Sequence, residues 1–390
     1  MYTIHLGVSG FPQLNNATIQ RMRLTFKSLN NTSLTPLIIN KASLAKTGSK
    51  QHVGRYNGIL YVNTASDPSR PDSFIKRNLN KLSGILLEFC FLYKKRKSIN
   101  SAIFYSASFW ELLYYSLLSR LFSFKLTIQY VEYRSSIPSR KKLLLRLNDY
   151  LFDNYCFFYI DGIIVISEFL KERSLSKNKK LSFIKVSAVT DFNDFLIEPT
   201  KEHRDYLMYC GTIDYLPVID LVMDLFERLK DNKIYTGNLM LVIGGNNAAN
   251  FDILDNRIKN SKFGSNVILK KNVAHTTIPA LYLGADLLLI PLRKTLQDIA
   301  RFPQKISEYT ASKKAILSTN VGDVGHYFKS GDSAILADEY SVDSYYDTVS
   351  KYLGSKEEML RIGESGYQVG MKNFNYLAYS VPLESFLLKL

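Results

Sequence analysis

The chain has 390 residues, 46% hydrophobic and 22% charged, with a net charge of +15 at pH 7. Its length exceeds one typical core, so two domains are the default, and its composition is that of an ordinary soluble globular protein. No apolar run reaches the roughly 18–20 residues that a spanning helix needs, because the best candidate, residues 109–124, is broken by Glu111 and Arg120.

The three cysteines, Cys90, Cys156 and Cys210, are scattered, which fits neither a disulfide framework nor a metal motif. The opening "MYTIHLGVSGF" reads as a first strand and not as a secretory signal, so the expected location is cytoplasmic. Charge is unevenly placed. Residues 1–150 hold 22 Lys/Arg against 6 Asp/Glu, residues 151–390 hold 28 against 29, and residues 1–50 contain no acid. A nucleic-acid partner, an anionic membrane surface and a merely solvated basic face all fit such an excess. No helix-turn-helix, zinc-finger or RNA-recognition signature supports a nucleic-acid partner. Basic residues mixed with Phe, Leu and Tyr in "FCFLYKKRK" (89–97) and "RLFSFKL" (120–126) suit a membrane surface better.

Short apolar runs alternate with amphipathic stretches along the chain, the pattern of α/β domains with parallel sheets. N-terminal strands are expected at 2–8, 36–40, 58–64, 101–106, 125–131, 162–167 and 181–187. Helices are expected at 17–29, 75–96, 109–122, 139–158 and 168–174. A polar stretch without clear period, 191–206, reads as a linker. A second series of strands follows at 206–211, 238–245, 266–270, 285–292, 314–319 and 333–337. Its helices fall at 217–230, 250–260, 277–284, 303–312, 322–329, 341–354 and 356–373. The tail 375–390 reads as a last helix with an apolar face, expected to return to the N-terminal domain. The fold class is therefore α/β: two Rossmann-like doubly wound domains facing across a cleft, spanning 1–190 and 207–374. Ligands bind such sheets beyond the strands' C-terminal ends.

The stretch "RFPQKISEYTASKKAILST" (301–319) carries the sharpest signal. Lys305 and Glu308 are three apart and share a face near a helix N-terminus. That end already carries partial positive charge and unpaired N–H groups, so a lysine there points to an anion supplied from outside. The five histidines have no metal-ligand spacing, and only His275 falls near the expected pocket. "GGNNAAN" (244–250) is not a GxGxxG and no P-loop occurs, which argues against a nicotinamide enzyme.

These blocks together resemble a known family. "YCGTID" (209–214), "LVIGG" (241–245), "NVILKKNVAHTTIPALYLGADLLLIPL" (266–292) and the 301–319 stretch follow the order of the donor domain of GT-B glycosyltransferases. The resemblance is to the retaining glycosyltransferase family 4. The N-terminal half agrees more loosely, through "GFPQLNNATIQRMRLTFKSL" (10–29), "DGIIVISEFLKER" (161–173) and "SAVTDFNDF" (187–195). It implies a retaining hexosyltransferase that takes a nucleotide-diphosphate sugar as co-substrate and needs no cofactor. No Asp-x-Asp pair occurs, so the reaction is expected to be metal-independent, with no metal site. The implied acceptor is a lipid-linked glycan or polysaccharide, as in cell-surface polysaccharide biosynthesis, with the enzyme peripheral at the inner face of the membrane. Nucleic acid is not an expected partner.

Residue by residue, the resemblance gives Glu308 the ribose hydroxyls and Phe302, Pro303 and Gln304 the diphosphate-facing turn, with Lys305 neutralising charge. Gly211, Thr212, Gln297 and Arg301 complete the expected donor site. The alternative for Glu308 is a surface pair with Lys305. Asn15 and Asn16, in the place of the usual glycine-rich loop, are acceptor candidates, although Asn16 equally suits a helix N-cap. Glu132 follows a strand end and is a candidate for acceptor binding or catalysis, as Lys305 is for catalysis; a structural role for Glu132 stays open. Two departures stand out. Ala300 occupies the position of the family's second Glu, and Tyr215–Val218 replace the usual basic loop. Lys305, Arg301 or Arg293 would then supply the leaving-group charge, and a non-catalytic GT-B scaffold serving as a partner subunit is the alternative.

Overall fold

The structure is a computed structural model that describes residues 1–7, 10–12, 17–42, 51–200 and 205–390. It divides into two units, Met1–Val189 with Tyr376–Leu390, and Thr190–Asn375.

The first unit runs β1 (Tyr2–Leu6), α1 (Ala17–Lys27), β2 (Thr35–Asn40), β3 (Val53–Tyr56), β4 (Ile59–Asn63), α2 (Phe74–Lys95), β5 (Ile99–Phe104), α3 (Phe109–Phe122), β6 (Lys125–Tyr130), α4 (Leu143–Tyr155), β7 (Gly162–Val165), α5 (Glu168–Lys177) and β8 (Ser182–Lys185). The second runs β9 (Tyr206–Thr212), α6 (Leu216–Asp231), β10 (Asn238–Gly244), α7 (Ala248–Lys259), β11 (Val267–Lys271), α8 (Ile278–Gly284), β12 (Leu287–Ile290), α9 (Leu296–Ala300), α10 (Gln304–Ala311), β13 (Ile316–Thr319), α11 (Val324–Tyr327), β14 (Ile335–Ala337), α12 (Val342–Leu353) and α13 (Lys356–Asn373). The chain ends on α14 (Ser380–Leu388), which belongs to the first unit.

Central strands such as Leu287–Ile290 and Gly162–Val165 are buried at every residue, as continuous apolar runs covered on both faces must be. Helix starts follow capping chemistry: Ser167, Asn247, Ser341 and Ser355 each accept an N–H from the first turn of the helix they precede.

The first sheet has the order β3-β4-β2-β1-β5-β6-β7-β8 and is parallel except for the β3–β4 hairpin. The second has the order β11-β10-β9-β12-β13-β14 and is parallel throughout. Strand order reverses between β1 and β5 in one sheet and between β9 and β12 in the other. Right-handed crossovers then place α2 to α5 on one face of the first sheet and α1 on the other. The side chains agree: His5 of β1 meets Phe26 of α1 at 5.1 Å, whereas Phe104 of β5 meets Tyr115 of α3 at 5.3 Å. Leu383 and Leu387 of α14 share the α1-side core with Ile38, Ile103 and Ile164.

Two readings of the sequence change. Strand β3 was not expected, although Asn57-Gly58, both at positive φ, makes the hairpin turn that such a dipeptide favours. The segment read as a linker opens inside the second unit: Phe192 and Phe195 are buried, 5.5 Å from Tyr367 and 6.4 Å from Tyr282 respectively. Aromatic anchors in a polar stretch carry no periodicity, so the pattern alone does not reveal them.

Candidate functional site

A cavity of about 280 Å³ opens at the C-terminal ends of β9 and β10, lined by residues including Gly211, Gly244, Asn272 and Lys305. It lies beside the reversal at β9, where open α/β sheets take ligands. Gly211 leaves bare backbone there, because a Cβ would meet the Tyr209 hydroxyl at 2.3 Å.

Helix α10 begins after Pro303, which supplies no side-chain cap, and its first turn holds no acid. The positive end of the helix therefore gains Lys305 without a compensating carboxylate until Glu308, one turn in. Glu308 is 9% exposed. Its Oε2 accepts from the Tyr282 hydroxyl at 3.0 Å and from Lys305 Nζ at 3.0 Å, and its Oε1 lies 3.8 Å from His275 Nε2. Burial pushes this carboxyl up, but Lys305 and His275 outweigh burial and hold it at about 2. For Lys305 burial acts downward, and Glu308 more than reverses it, so the ammonium is held above its ordinary range. Both directions describe one charged pair. One oxygen of this carboxylate, Oε2, is thus engaged by protein groups, and the pair with Lys305 is a buried one and not a surface one.

Arg293, Asp298 and Arg301 form a second cluster. Asp298 is 1% exposed; Arg293 Nε lies 2.8 Å from its Oδ2 and Arg301 Nη2 lies 2.6 Å from its Oδ1. Both guanidiniums stand over the Tyr215 ring, at 5.5 and 5.0 Å. The Tyr215 hydroxyl accepts from Arg301 Nη1 at 2.7 Å and from Gln297 Nε2 at 3.4 Å. Tyr215 therefore collects both arginines.

The structure brings Gly211, Lys305 and Glu308 together. Thr212 ends β9 half-buried. Gln304 turns along its own helix and donates to Ser307 Oγ at 3.2 Å. The Phe302 side chain does not face a ligand turn: it is buried 5.3 Å from both Tyr327 and Phe374, so only its backbone can serve one. Asn15 and Asn16 lie outside the described residues. Glu132 sits half-buried after β6 in the first unit, where its charge acts on Tyr105 and Arg140. Tyr282 was missed: nothing in its local pattern marks an α8 residue as the partner of a carboxylate on α10.

Residues 192–369 match the family model described as Glycosyl transferases group 1. None of the curated proteins matches the chain. Among solved structures, sucrose-phosphate synthase from Thermosynechococcus elongatus is similar at 11% identity and TM-score 0.74, over all of this chain and 98% of its own. HepE from Anabaena, in complex with UDP, matches at 11% identity and TM-score 0.73, over the whole of both chains. A glycosyltransferase from Rickettsia africae is 15% identical at TM-score 0.70, over all of this chain and 99% of that one. These likenesses show the fold: two Rossmann-like units of the GT-B kind.

Proposed function

We propose that this protein is a glycosyltransferase of the retaining family 4 kind. It transfers a hexose from a nucleotide-diphosphate sugar, without a metal, to a lipid-linked glycan or polysaccharide at the inner face of the membrane. The observation that carries the reading is the Lys305–Glu308 pair, one turn into α10 and beside the Gly211 cavity, inside the segment that matches the glycosyltransferase model. Breaking a sugar–phosphate bond needs the departing diphosphate stabilised more than it needs a strong base. Lys305 and the N-terminal end of α10 supply positive charge where that diphosphate would leave. Glu308 Oε1, whose basic neighbour is His275, is left to accept ribose hydroxyls. HepE has been solved with UDP, with UDP and glucose, and with UDP-glucose, which makes UDP-sugars the first donors to test.

The experiment is calorimetric binding and nucleotide-diphosphate release with UDP-, GDP- and ADP-sugars, with and without chelator. One donor should bind and turn over in both conditions, and Lys305→Ala should cut release at least about tenfold, the equivalent of one lost charge-assisted bond. Absence of binding by every sugar nucleotide overturns the reading. A second reading, the non-catalytic scaffold, is favoured by one observation: Arg293 and Arg301, the other candidate leaving-group cations, are both engaged by Asp298. It corresponds to binding without release.

A further inference from the structure

We propose that the outer face of α2, α3 and α4 docks on an anionic phospholipid bilayer. This deepens the membrane part of the reading above and needs none of its sugar chemistry.

Helix α2 is turned inside out. The residues it buries are Asn80, Gly84, Glu88 and Leu92, a stripe at fourfold spacing. Those it presents to solvent include Phe74 (72% exposed), Ile75, Leu79, Leu82 and Leu86 (68%). A surface helix ordinarily does the reverse. The orientation is fixed by specific bonds. Asn80 Oδ1 accepts from Ser66 Oγ at 2.9 Å and from the Asp67 N–H at 2.8 Å, and Glu88 accepts from the Tyr115 hydroxyl at 2.9 Å. At Gly84 the helix lies so close to the chain that a Cβ would fall 1.9 Å from the Lys41 carbonyl oxygen.

The neighbouring helices continue the face. Phe122 of α3 packs 5.4 Å from Phe89 of α2, and Asn148 of α4 accepts the Phe109 N–H at the start of α3 at 2.9 Å. On α3 the exposed apolar residues are Trp110, Leu117 and Leu121; on α4 they are led by Leu143 and Leu144, at 81% and 80% exposure. Single exposed leucines are common, but a run of them across three adjacent helices marks a surface that something covers.

Charge selects the occupant. The first unit holds 29 Lys/Arg against 11 Asp/Glu, the second 21 against 24. Exposed Lys94 and Lys95 close α2, and exposed Lys141 and Lys142 precede α4. Two copies of so basic a unit repel one another. A bilayer offers acyl chains to the leucines and anionic headgroups to the lysines. No described helix is long and apolar enough to cross a membrane, so the face lies on the bilayer.

Trp110 is the chain's only tryptophan and sits on this face, which makes it a reporter. The full-length protein should bind phosphatidylcholine vesicles containing phosphatidylglycerol, with Trp110 emission shifted to the blue and quenched by brominated acyl chains. Leu79→Ser with Leu86→Ser should lower the partition coefficient at least about tenfold, because two apolar anchors are lost. Its melting curve should be unchanged, since both side chains are exposed. Lys94→Ser with Lys95→Ser should weaken binding to the anionic vesicles and not to neutral ones. Unquenched Trp110, or a lipid-free dimer that the leucine variant dissociates, overturns the proposal in favour of a protein partner. Vesicle binding without sugar transfer refutes the functional reading alone. Transfer without vesicle binding refutes this one alone.

Discussion

Glu308 is held by its neighbours before any ligand arrives. Removing its charge leaves Lys305 in a mostly buried position without its counter-ion, which is the costly way to break such a pair. Glu308→Gln should therefore destabilise the second unit by on the order of 2–3 kcal/mol, below the full range for buried pairs because the Lys305 side chain keeps 28% exposure. The double variant Glu308→Gln, Lys305→Met should regain most of that loss and still fail to bind nucleotide diphosphates. Chemical denaturation paired with calorimetric titration separates the two roles, and a double variant as unstable as the single one refutes the ion-pair account. The pH dependence has a definite sign. A carboxyl lowered from 4.5 to about 2 contributes stability that is complete above pH 4.5 and lost as the pH falls through 2. Over that window the parent should lose stability more steeply than the double variant. The Lys305–Glu308 juxtaposition was legible in the sequence, since i, i+3 spacing on a helix suffices to place it. Tyr282 is 26 residues from Glu308 and reaches it only through the fold.

Elements were legible where period and composition agreed. Buried parallel strands such as β12 and β13 stand out as short apolar runs, and serine-capped helices such as α13 announce their starts. Strand β3 escaped because Val53–Tyr56 is exposed at three of four residues and carries no apolar run. For α2 the amphipathic pattern was visible but its direction was not, because sequence assigns the apolar stripe inward by default. The inward stripe has its own signature in Glu88. Burial raises its carboxyl from 4.5 to about 7, against the pull of Lys41 and the Tyr115 hydroxyl. A raised acid stabilises the fold fully below pH 4.5, and that contribution disappears as the pH rises through 7. From this group the parent should lose on the order of 3 kcal/mol between pH 4.5 and 8. Glu88→Gln keeps a carbonyl oxygen for Tyr115 and has nothing to ionise, so relative to the parent it should gain stability from pH 5 to pH 8. Urea denaturation at both values decides it: an equal difference at the two pH values rules out Glu88 as the titrating group.

At the scale of the molecule, the last fifteen residues are a structural part of the unit that begins the chain. The tail's apolar face packs into that unit's core. Leu383 and Leu387 are 0% and 1% exposed. Glu384 Oε1 accepts both the Ser33 N–H and its hydroxyl at 2.6 Å, and Asn100 Nδ2 donates to the Leu387 carbonyl at 3.1 Å. The helix lies so near the sheet that a Cβ on Gly162 would meet Phe386 at 2.8 Å. Leu383→Ala and Leu387→Ala each remove a fully buried side chain, at about 2–5 kcal/mol apiece. The two sit one turn apart and pack into the same core, so together they should cost less than the sum. The second unit has a separate core built around Val222, Leu241 and Leu289, which these substitutions do not touch. Hydrogen exchange should therefore show protection falling in β1, β5 and β8 and holding in β9, β10 and β12. Equal loss in both sheets would mean that the two units unfold as one, and unchanged protection in the first sheet would mean that α14 contributes nothing to its core.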